Sequence, residues 1–252
     1  MIKKIILNFA KFLSFFWILI PNKLRTILIR GILLIDSRNH PERALKNLFL
    51  YEDFVNALIN ERSLRYGNKR HPKHNLINYH KFFIENIEEG SRVMDVGCGS
   101  GEVSFSIVNH FQNVEVLGLD IDAKKIQIAN DKYNHKRLNF KIDDATISLP
   151  EEKWEIIILS NVLEHIEERV LFLKMLVKNI SPKKILIRVP SFERHWSIPF
   201  RRELNINYFN DNTHFIEYTN LEFKSEINMA GLKIVSIKNI WGEIWSCCEP
   251  NN

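Results

Sequence analysis

A glycine-rich turn between an apolar strand and a helix constrains this chain more than any other feature of its sequence. Residues 92–97 (RVMDVG) are mostly apolar, which is typical of a buried strand. Gly97, Gly99 and Gly101 close this run, and residues 103–111 then have the pattern of a helix. Such a strand–loop–helix unit lets the backbone approach a ligand closely and points helix N–H groups at it. It predicts a parallel α/β sheet with a ligand at the carboxyl end of the strand.

The class of ligand is indicated by Asp95, which lies two residues before the first glycine. A carboxylate there would repel the pyrophosphate of a dinucleotide, which is the other cofactor that such loops bind. It suits a cationic ligand, and S-adenosylmethionine carries an ammonium and a sulfonium group. A nicotinamide oxidoreductase remains the alternative among cofactor-dependent enzymes.

The run VMDVGCGSG resembles the first motif of class I S-adenosylmethionine-dependent methyltransferases, and further acids lie at the ends of two more predicted strands, 114–120 and 139–145. The resemblance implies that Asp120 accepts from the ribose hydroxyls, with Asp122 as the alternative. It implies that Asp144 accepts from the adenine amino group, with Asp143 as the alternative. The remaining cofactor contacts that it implies come from the glycine loop, the ends of later strands and an upstream helix: Asp95, Gly97, Cys98, Gly99, Gly101, Ile121, Ala145, Ser160, Asn161, Tyr79 and His80.

The fold that this resemblance implies is the Rossmann-like α/β fold of class I methyltransferases. Its sheet is expected to have about seven strands, mostly parallel, with one antiparallel strand at the C-terminus. The sequence predicts later strands at 155–159, 184–189, 233–241 and 243–248, and a helix at 220–230. Residues 41–90 predict a helical cap, with helices at 41–59 and 76–87. The expected domains are therefore an extension at 1–40, the cap at 41–90 and the methyltransferase domain at 91–252.

Candidate catalytic residues follow the fourth predicted strand. Residues 160–165 (SNVLEH) are similar to the E-V-L-E-H stretch of ubiquinone-type O-methyltransferases, which makes Glu164 and His165 candidates to orient or deprotonate an acceptor. In some relatives the Glu and His of this stretch bind a divalent metal. Because Asn161 replaces the first Glu here, we predict no metal site. Residues 211–219 (DNTHFIEYT) resemble a segment of some bacterial and archaeal methyltransferases, which adds His214 and Glu217.

A long connection at 191–219 is rich in arginine, histidine and aromatic residues, and we expect it to cover the acceptor. It favours an anionic acceptor, although a solvated loop with salt bridges is the alternative. The expected reaction is O-methylation of a small polar molecule, such as a phosphorylated metabolite or a sugar of surface-polysaccharide biosynthesis. A lipid or quinone precursor and a non-catalytic S-adenosylmethionine-binding module are alternatives. The expected acceptor-binding residues are Arg188, Arg194, His195, Arg201, Arg202 and Glu217.

The net charge of +5 is concentrated at the N-terminus, where residues 1–40 hold seven basic residues and one acid. The remaining residues total −1, which argues against a nucleic-acid partner. Residues 1–35 predict helices with a cationic stripe and a broad apolar face, and the apolar run at 12–20 is short for a spanning helix. This segment either contacts a membrane surface or packs on the protein, including a second copy in a homodimer. Three cysteines without metal spacing suit the cytoplasm, or the inner face of its membrane.

Overall fold

The computed structural model describes residues 13–38, 40–68 and 71–251. The chain divides into two compact units that meet between His71 and Pro72. This boundary differs from the one expected at residue 90, because Phe82, Phe83 and Ile87 belong to the hydrophobic core of the second unit. Lys3, Lys4 and Lys11, which contribute to the predicted cationic stripe, lie outside the described residues.

All of the regular structure among the described residues of the first unit is helical. Residues 13–19 form a helix, followed by α1 (Asn22–Asp36) and α2 (Pro41–Tyr66). Pro41 occupies the first turn of α2, where its missing N–H removes no helical hydrogen bond. α2 runs beyond the predicted end at residue 59, and Arg65 pairs with Glu61 one turn earlier at 2.7 Å. No helix within the described residues is both long enough and apolar enough to cross a bilayer.

The second unit is built on one seven-stranded sheet. The strand order is β3-β2-β1-β4-β5-β7-β6, and β7 runs antiparallel to both of its neighbours while the other pairs are parallel. This arrangement confirms the predicted fold. The strands are β1 (Arg92–Val96), β2 (Glu115–Asp120), β3 (Leu138–Ile142), β4 (Ile156–Ser160), β5 (Lys184–Pro190), β6 (Leu232–Ile240) and β7 (Glu243–Pro250).

Helices cover both faces of this sheet. Successive residues of β4 join different clusters, Ile157 and Leu159 one core and Ile158 the other, because side chains alternate along a strand. Full burial of each such side chain contributes about 1.5–3 kcal/mol. The helices of the unit are α3 (Lys73–Ile77), α4 (Tyr79–Glu85), α5 (Glu102–His110), α6 (Ala123–Lys132), α7 (Arg169–Ile180), α8 (Ser197–Glu203) and α9 (Asn220–Met229).

Three local features differ from the sequence prediction. The helix expected at 76–87 is two short helices that meet at Asn78, whose φ of +50° is left-handed. β3 ends at Ile142, so Asp143 and Asp144 lie in the loop that follows it. The connection at 191–219 contains a 3-10 turn at Phe192–Arg194 as well as α8, so part of it has regular structure.

Candidate active site

The glycine loop joins β1 to α5 in a conformation that suits glycine. Gly97, Gly99 and Gly101 have φ values of +68°, +57° and +81°. A Cβ atom at Gly97 would lie 2.6 Å from Val162, and one at Gly101 would lie 2.4 Å from Phe140. A Cβ atom at Gly99 would meet nothing within 4 Å. Two of the glycines therefore allow close packing of the loop, whereas Gly99 borders open space that a ligand can enter.

Asp95 lies within β1 and is almost fully buried. Ser104 on α5 donates a hydrogen bond of 2.5 Å from Oγ to its Oδ2 atom. Burial raises the pKa of Asp95 to about 7, while the Ser104 hydrogen bond lowers it and the nearby Asp120 raises it. The carboxyl group thus ties the strand to the helix after the glycine loop. This role of Ser104 was not predicted from the sequence.

Asp120 ends β2 beside this loop, and backbone N–H groups fix both of its carboxylate oxygens. The N–H of Gly99 donates to Oδ2 and that of Asp122 donates to Oδ1, each at 2.9 Å. Each carboxylate oxygen has a second lone pair, so the group retains the capacity to accept from a ligand. Asp122 itself caps α6 and accepts from the backbone N–H groups of Lys124 and Lys125. These contacts favour Asp120 over Asp122 as the ribose ligand.

The loop after β3 holds the two acids that the sequence offers for the adenine contact. Asp143 accepts from Ser148 Oγ at 2.9 Å and pairs with Lys141 at 3.3 Å, and the Ser148 hydrogen bond contributes most to lowering its pKa. Asp144 accepts from the backbone N–H and hydroxyl of Thr146 through its Oδ1 atom. Both carboxylate oxygens of Asp143 therefore have local partners, Oδ1 with Ser148 and Oδ2 with Lys141. The contacts of Asp144 with Thr146 use Oδ1 alone, which favours Asp144 as the adenine ligand.

The turn after β4 packs against the glycine loop and carries the predicted catalytic residues. Asn161 adopts a left-handed φ of +58°, and its backbone N–H donates to the carbonyl of Arg188 at 2.7 Å. Its Oδ1 atom is buried and has no hydrogen-bond partner among the described residues. Glu164 is fully buried in the following 3-10 turn, and neither of its carboxylate oxygens has a hydrogen-bond partner within the described chain. Burial raises the pKa of Glu164 to about 8.

Glu164, His165 and His214 come together at this turn, although His214 is far away in sequence. One potential ligand atom from each residue lies within 4.8 Å of the others. The rings of His165 and His214 are perpendicular, with centroids 4.6 Å apart. The backbone N–H of Phe215 donates to the Glu164 carbonyl at 2.8 Å, which fixes the loop containing His214 against the turn. The cluster contains all three predicted catalytic residues.

Hydrogen bonds fix which nitrogen of each histidine carries a proton. His214 Nδ1 lies 2.9 Å from Glu217 Oε1, and a carboxylate only accepts, so Nδ1 must be the protonated atom. Thr213 donates its hydroxyl proton to Asp211 at 2.7 Å, so it accepts from His165 Nδ1 at 2.9 Å. In the neutral form of each ring, the Nε2 atom therefore keeps a free lone pair. Burial, and then His214, lower the pKa of His165, which favours its neutral form.

The arginines of the acceptor side are largely engaged within the protein. Arg188 forms a two-pronged ion pair with Glu243 at 2.5 and 2.7 Å, donates to Ser160 and lies 3.9 Å from the centre of the Tyr79 ring. Arg194 pairs with Glu217 at 2.5 Å and donates to the Tyr208 carbonyl. Both arginines therefore fit the alternative prediction, in which this region forms salt bridges within the protein.

The other predicted acceptor and cofactor residues occupy varied surroundings. Arg201 is buried and donates to the Asn207 carbonyl at 3.1 Å, whereas the exposed Arg202 lies over the Phe192 ring. His195 Nδ1 lies 2.7 Å from Ser197 Oγ. Tyr79 is buried, with its hydroxyl 2.8 Å from His74 Nδ1 and its ring against that of His80.

Comparison with known proteins agrees with this geometry. Residues 94–183 match the sequence model of a family described as a methyltransferase domain. The chain is 31% identical over 114 residues to malonyl-[acyl-carrier protein] O-methyltransferase 2 of Ilyobacter polytropus, a match that covers 43% of this chain and 44% of that one. It is 26% identical over 110 residues to a ubiquinone biosynthesis O-methyltransferase of Bradyrhizobium diazoefficiens, with 42% of each chain covered. The chain thus spans less than half the length of these relatives.

Residues 94–183 therefore lie in a methyltransferase domain, and the fold around them is that of class I S-adenosylmethionine-dependent methyltransferases. The fold is also that of magnesium protoporphyrin IX methyltransferase from Synechocystis PCC 6803, crystallised with bound SAH (S-adenosylhomocysteine). The two structures have a TM-score of 0.57 at 15% identity, over 75% of this chain and 86% of that one. The predicted family, fold and cofactor are confirmed.

The methyltransferase domain fits its cofactor at the carboxyl ends of β1 and β2. Gly99 borders open space, and Asp120 is held beside it with lone pairs to spare. The individual cofactor contacts remain predictions. Three residues that hydrogen-bond to predicted site residues were not themselves predicted from the sequence: Ser104, Thr213 and Glu243. Nothing local in the sequence marks Ser104, but Thr213 lies next to His214 and inside a motif that the sequence already singled out.

Proposed function

We propose that this protein transfers the methyl group of S-adenosylmethionine to a hydroxyl oxygen of a small acceptor. The observation that carries the proposal is the cluster of Glu164, His165 and His214 beside the glycine loop. A hydroxyl acceptor must lose its proton as the new C–O bond forms, so it benefits from a nearby base. An acceptor that is already anionic would need no such group.

His214 is the residue best arranged to accept this proton. Glu217 holds Nδ1–H, so Nε2 has the free lone pair, and the carboxylate stabilises the imidazolium that proton transfer creates. Arg194 in turn fixes Glu217 through an ion pair of 2.5 Å. The methyl group moves from the sulfonium to the acceptor oxygen in one displacement, and the protein contributes mainly by positioning both partners.

The unpartnered carboxylate of Glu164 favours a second form of the same reaction. Burying an ionised carboxylate without a partner costs several kcal/mol, roughly, and a bound cation would offset that cost. Glu164, His165 and His214 would hold a divalent ion, with a carboxylate oxygen and two imidazole nitrogens as ligands. Such an ion lowers the pKa of a hydroxyl that it binds. The replacement of a carboxylate by Asn161 weighs against this form, although its buried Oδ1 is also a potential ligand atom.

The class of acceptor is the finer part of the proposal. An anionic sugar or phosphorylated metabolite, as in surface-polysaccharide biosynthesis, would rely on Arg202 and His195, because glutamates already neutralise Arg188 and Arg194. A lipid or quinone precursor at the inner face of the cytoplasmic membrane is the second candidate. The exposed apolar side chains of α1 favour it.

The deciding experiment supplies the enzyme with methyl-labelled S-adenosylmethionine and fractions of a polar metabolite extract and a lipid extract. We expect label in a product that survives alkaline hydrolysis, because a methyl ether is stable there and a methyl ester is not. His214→Gln should abolish most of this transfer and leave SAH binding intact, while the exposed His110→Gln serves as the matched control. Normal SAH binding without transfer to any fraction would favour a non-catalytic binding module.

The two forms of the reaction are separated by chelation. We expect the form with His214 as the base to keep its turnover after EDTA treatment. If EDTA abolishes turnover and Mg²⁺ or Mn²⁺ restores it, the metal form is correct.

A further inference from the structure

α1 presents an apolar face that has no partner within the described part of the chain. None of its residues is buried. The apolar side chains on this face keep between 43% and 73% of their surface exposed. They are Leu24, Ile27, Leu28, Ile32, Leu34 and Ile35.

This face points away from α2. Asp36 accepts hydrogen bonds from Asn47 Nδ2 and Tyr51 OH of α2, both at 3.0 Å, and so marks the side of α1 that faces α2. At about 100° per residue, the six apolar residues and Gly31 occupy an arc of roughly 160° that holds no charged residue. The centre of that arc lies on the opposite side of the helix from Asp36 and the half-buried Leu33. Packing between the two helices therefore leaves the apolar face uncovered.

Basic residues border this arc on both sides. The exposed Lys23 and Arg30 lie along one edge. Arg25 lies along the other, where it is half-buried and donates to Asn22. Long cationic side chains in these positions can extend their charged groups to lipid phosphates while their stems stay with the apolar face. The one acid of the helix, Asp36, is turned towards α2.

We propose that this face of α1, defined by the six apolar residues above, docks on an anionic lipid surface. The inference extends the membrane setting of the second acceptor candidate, but it does not depend on which acceptor is methylated. A basic border and a wide apolar arc together match the two components of such a surface, which are phosphate headgroups and acyl chains. A second copy of the chain would satisfy the apolar arc, but the cationic borders of two such faces would repel each other.

The test is flotation of the 252-residue chain with vesicles, measured without reference to turnover. We expect binding to vesicles of equal parts phosphatidylglycerol and phosphatidylcholine, little binding to phosphatidylcholine alone, and weaker binding as salt is raised. Ile32→Gln should weaken partitioning about tenfold or more, because the side chain would no longer enter the acyl region. Thr26→Gln, on the opposite side of the same helix, is the matched control and should stay within about twofold.

The charge component has its own pair of variants. Each cation near an anionic surface strengthens binding about fivefold, so Lys23→Gln with Arg30→Gln should weaken it about thirtyfold. Lys174→Gln with Lys224→Gln removes the same charge from exposed positions of α7 and α9 and should change little.

Circular dichroism checks that each variant keeps its helices. Calorimetry with SAH checks that the second unit is folded and separates this proposal from the catalytic one. A protein that binds SAH but does not float with anionic vesicles would overturn the docking proposal and leave the methyltransferase proposal standing. Flotation of Ile32→Gln equal to the wild type would also overturn it. The proposal would also be overturned if light scattering detects a dimer that Ile32→Gln dissociates, and if the protein fails to bind vesicles.

Discussion

Replacing Asp120 by alanine provides the sharpest test of how this domain holds its cofactor. The side chain ends β2 beside the glycine loop, and the N–H groups of Gly99 and Asp122 each donate to it at 2.9 Å. These contacts fix the carboxylate in one orientation before any ligand arrives. The substitution therefore removes the predicted ligand for the ribose hydroxyls and loosens the loop next to it.

The expected loss can be worked from these contacts. A charge-assisted hydrogen bond contributes about 1.5–3 kcal/mol, and a carboxylate that accepts from two hydroxyls at one ribose shares its charge between them. We therefore expect a loss of about 2–3 kcal/mol in SAH binding, which corresponds to an affinity about 30- to 150-fold weaker. Alanine also leaves the N–H of Gly99 without its partner, which adds to the loss.

The assay is isothermal titration of SAH into the purified protein, with Asp122→Ala as the matched control. Asp122 caps α6, so its removal should cost about 1 kcal/mol of stability and leave SAH affinity within a few-fold of the wild type. Normal affinity in Asp120→Ala combined with a large loss in Asp122→Ala would refute the assignment. It would mean that the alternative acid binds the ribose.

Three further predictions concern stability and turnover. Asp95→Asn should flatten the pH dependence of the free energy of unfolding, measured by urea unfolding. Burial raises the pKa of Asp95 from 3.8 to about 7, so the wild type loses up to about 4 kcal/mol of stability as pH rises from 4 through 7. Gly101→Ala should lose about 2–4 kcal/mol of stability, because its Cβ would lie 2.4 Å from Phe140 at a φ of +81°. Gly99→Ala should lose only about 1 kcal/mol of stability, yet it should weaken SAH binding in calorimetry. Glu217→Gln should lose about 3–5 kcal/mol by leaving Arg194 without its buried partner, and should reduce methyl transfer with unchanged SAH affinity. The first prediction is contradicted if Asp95→Asn and the wild type show the same pH dependence of unfolding. The second is contradicted if Gly101→Ala and Gly99→Ala lose the same stability, and the third if Glu217→Gln transfers methyl groups as fast as the wild type.

The glycine turn and the strand end that carries Asp120 lie where the sequence predicts them, because their signals are local. Glycines with positive φ must lie where the strand turns into a helix, and Asp120 is placed by the end of its own strand. In a parallel sheet the carboxyl ends of neighbouring strands meet at one edge, so residues that end successive strands become neighbours. A linear pattern is then enough to predict which of these side chains become neighbours.

The acceptor side is predicted less well because its contacts join residues that are distant in sequence. Arg188 was expected to bind an anion, but it pairs with Glu243, 55 residues later. No local pattern of charge reveals that partner, because it depends on β7 running antiparallel beside β5, which pairs Arg188 with Trp245 and Pro190 with Glu243. The cluster of Glu164, His165 and His214 is an intermediate case. A family motif marked each residue, but only the fold brings His214 to the other two.

The ion pair of Arg188 has a further consequence for how the two sides of the site are connected. The same guanidinium contacts Glu243 on β7, Ser160 at the end of β4 and the ring of Tyr79 on α4. Because it is buried and each contact constrains its position, it holds the helix predicted to cover the cofactor against the strand that leads to the turn with the predicted catalytic residues. A buried ion pair often adds little net stability compared with apolar packing, and its use here is to fix the relative positions of these elements. Methyl transfer depends on bringing sulfonium carbon and acceptor oxygen into line, so an arginine that orders both sides of the site can serve the reaction without touching either reactant.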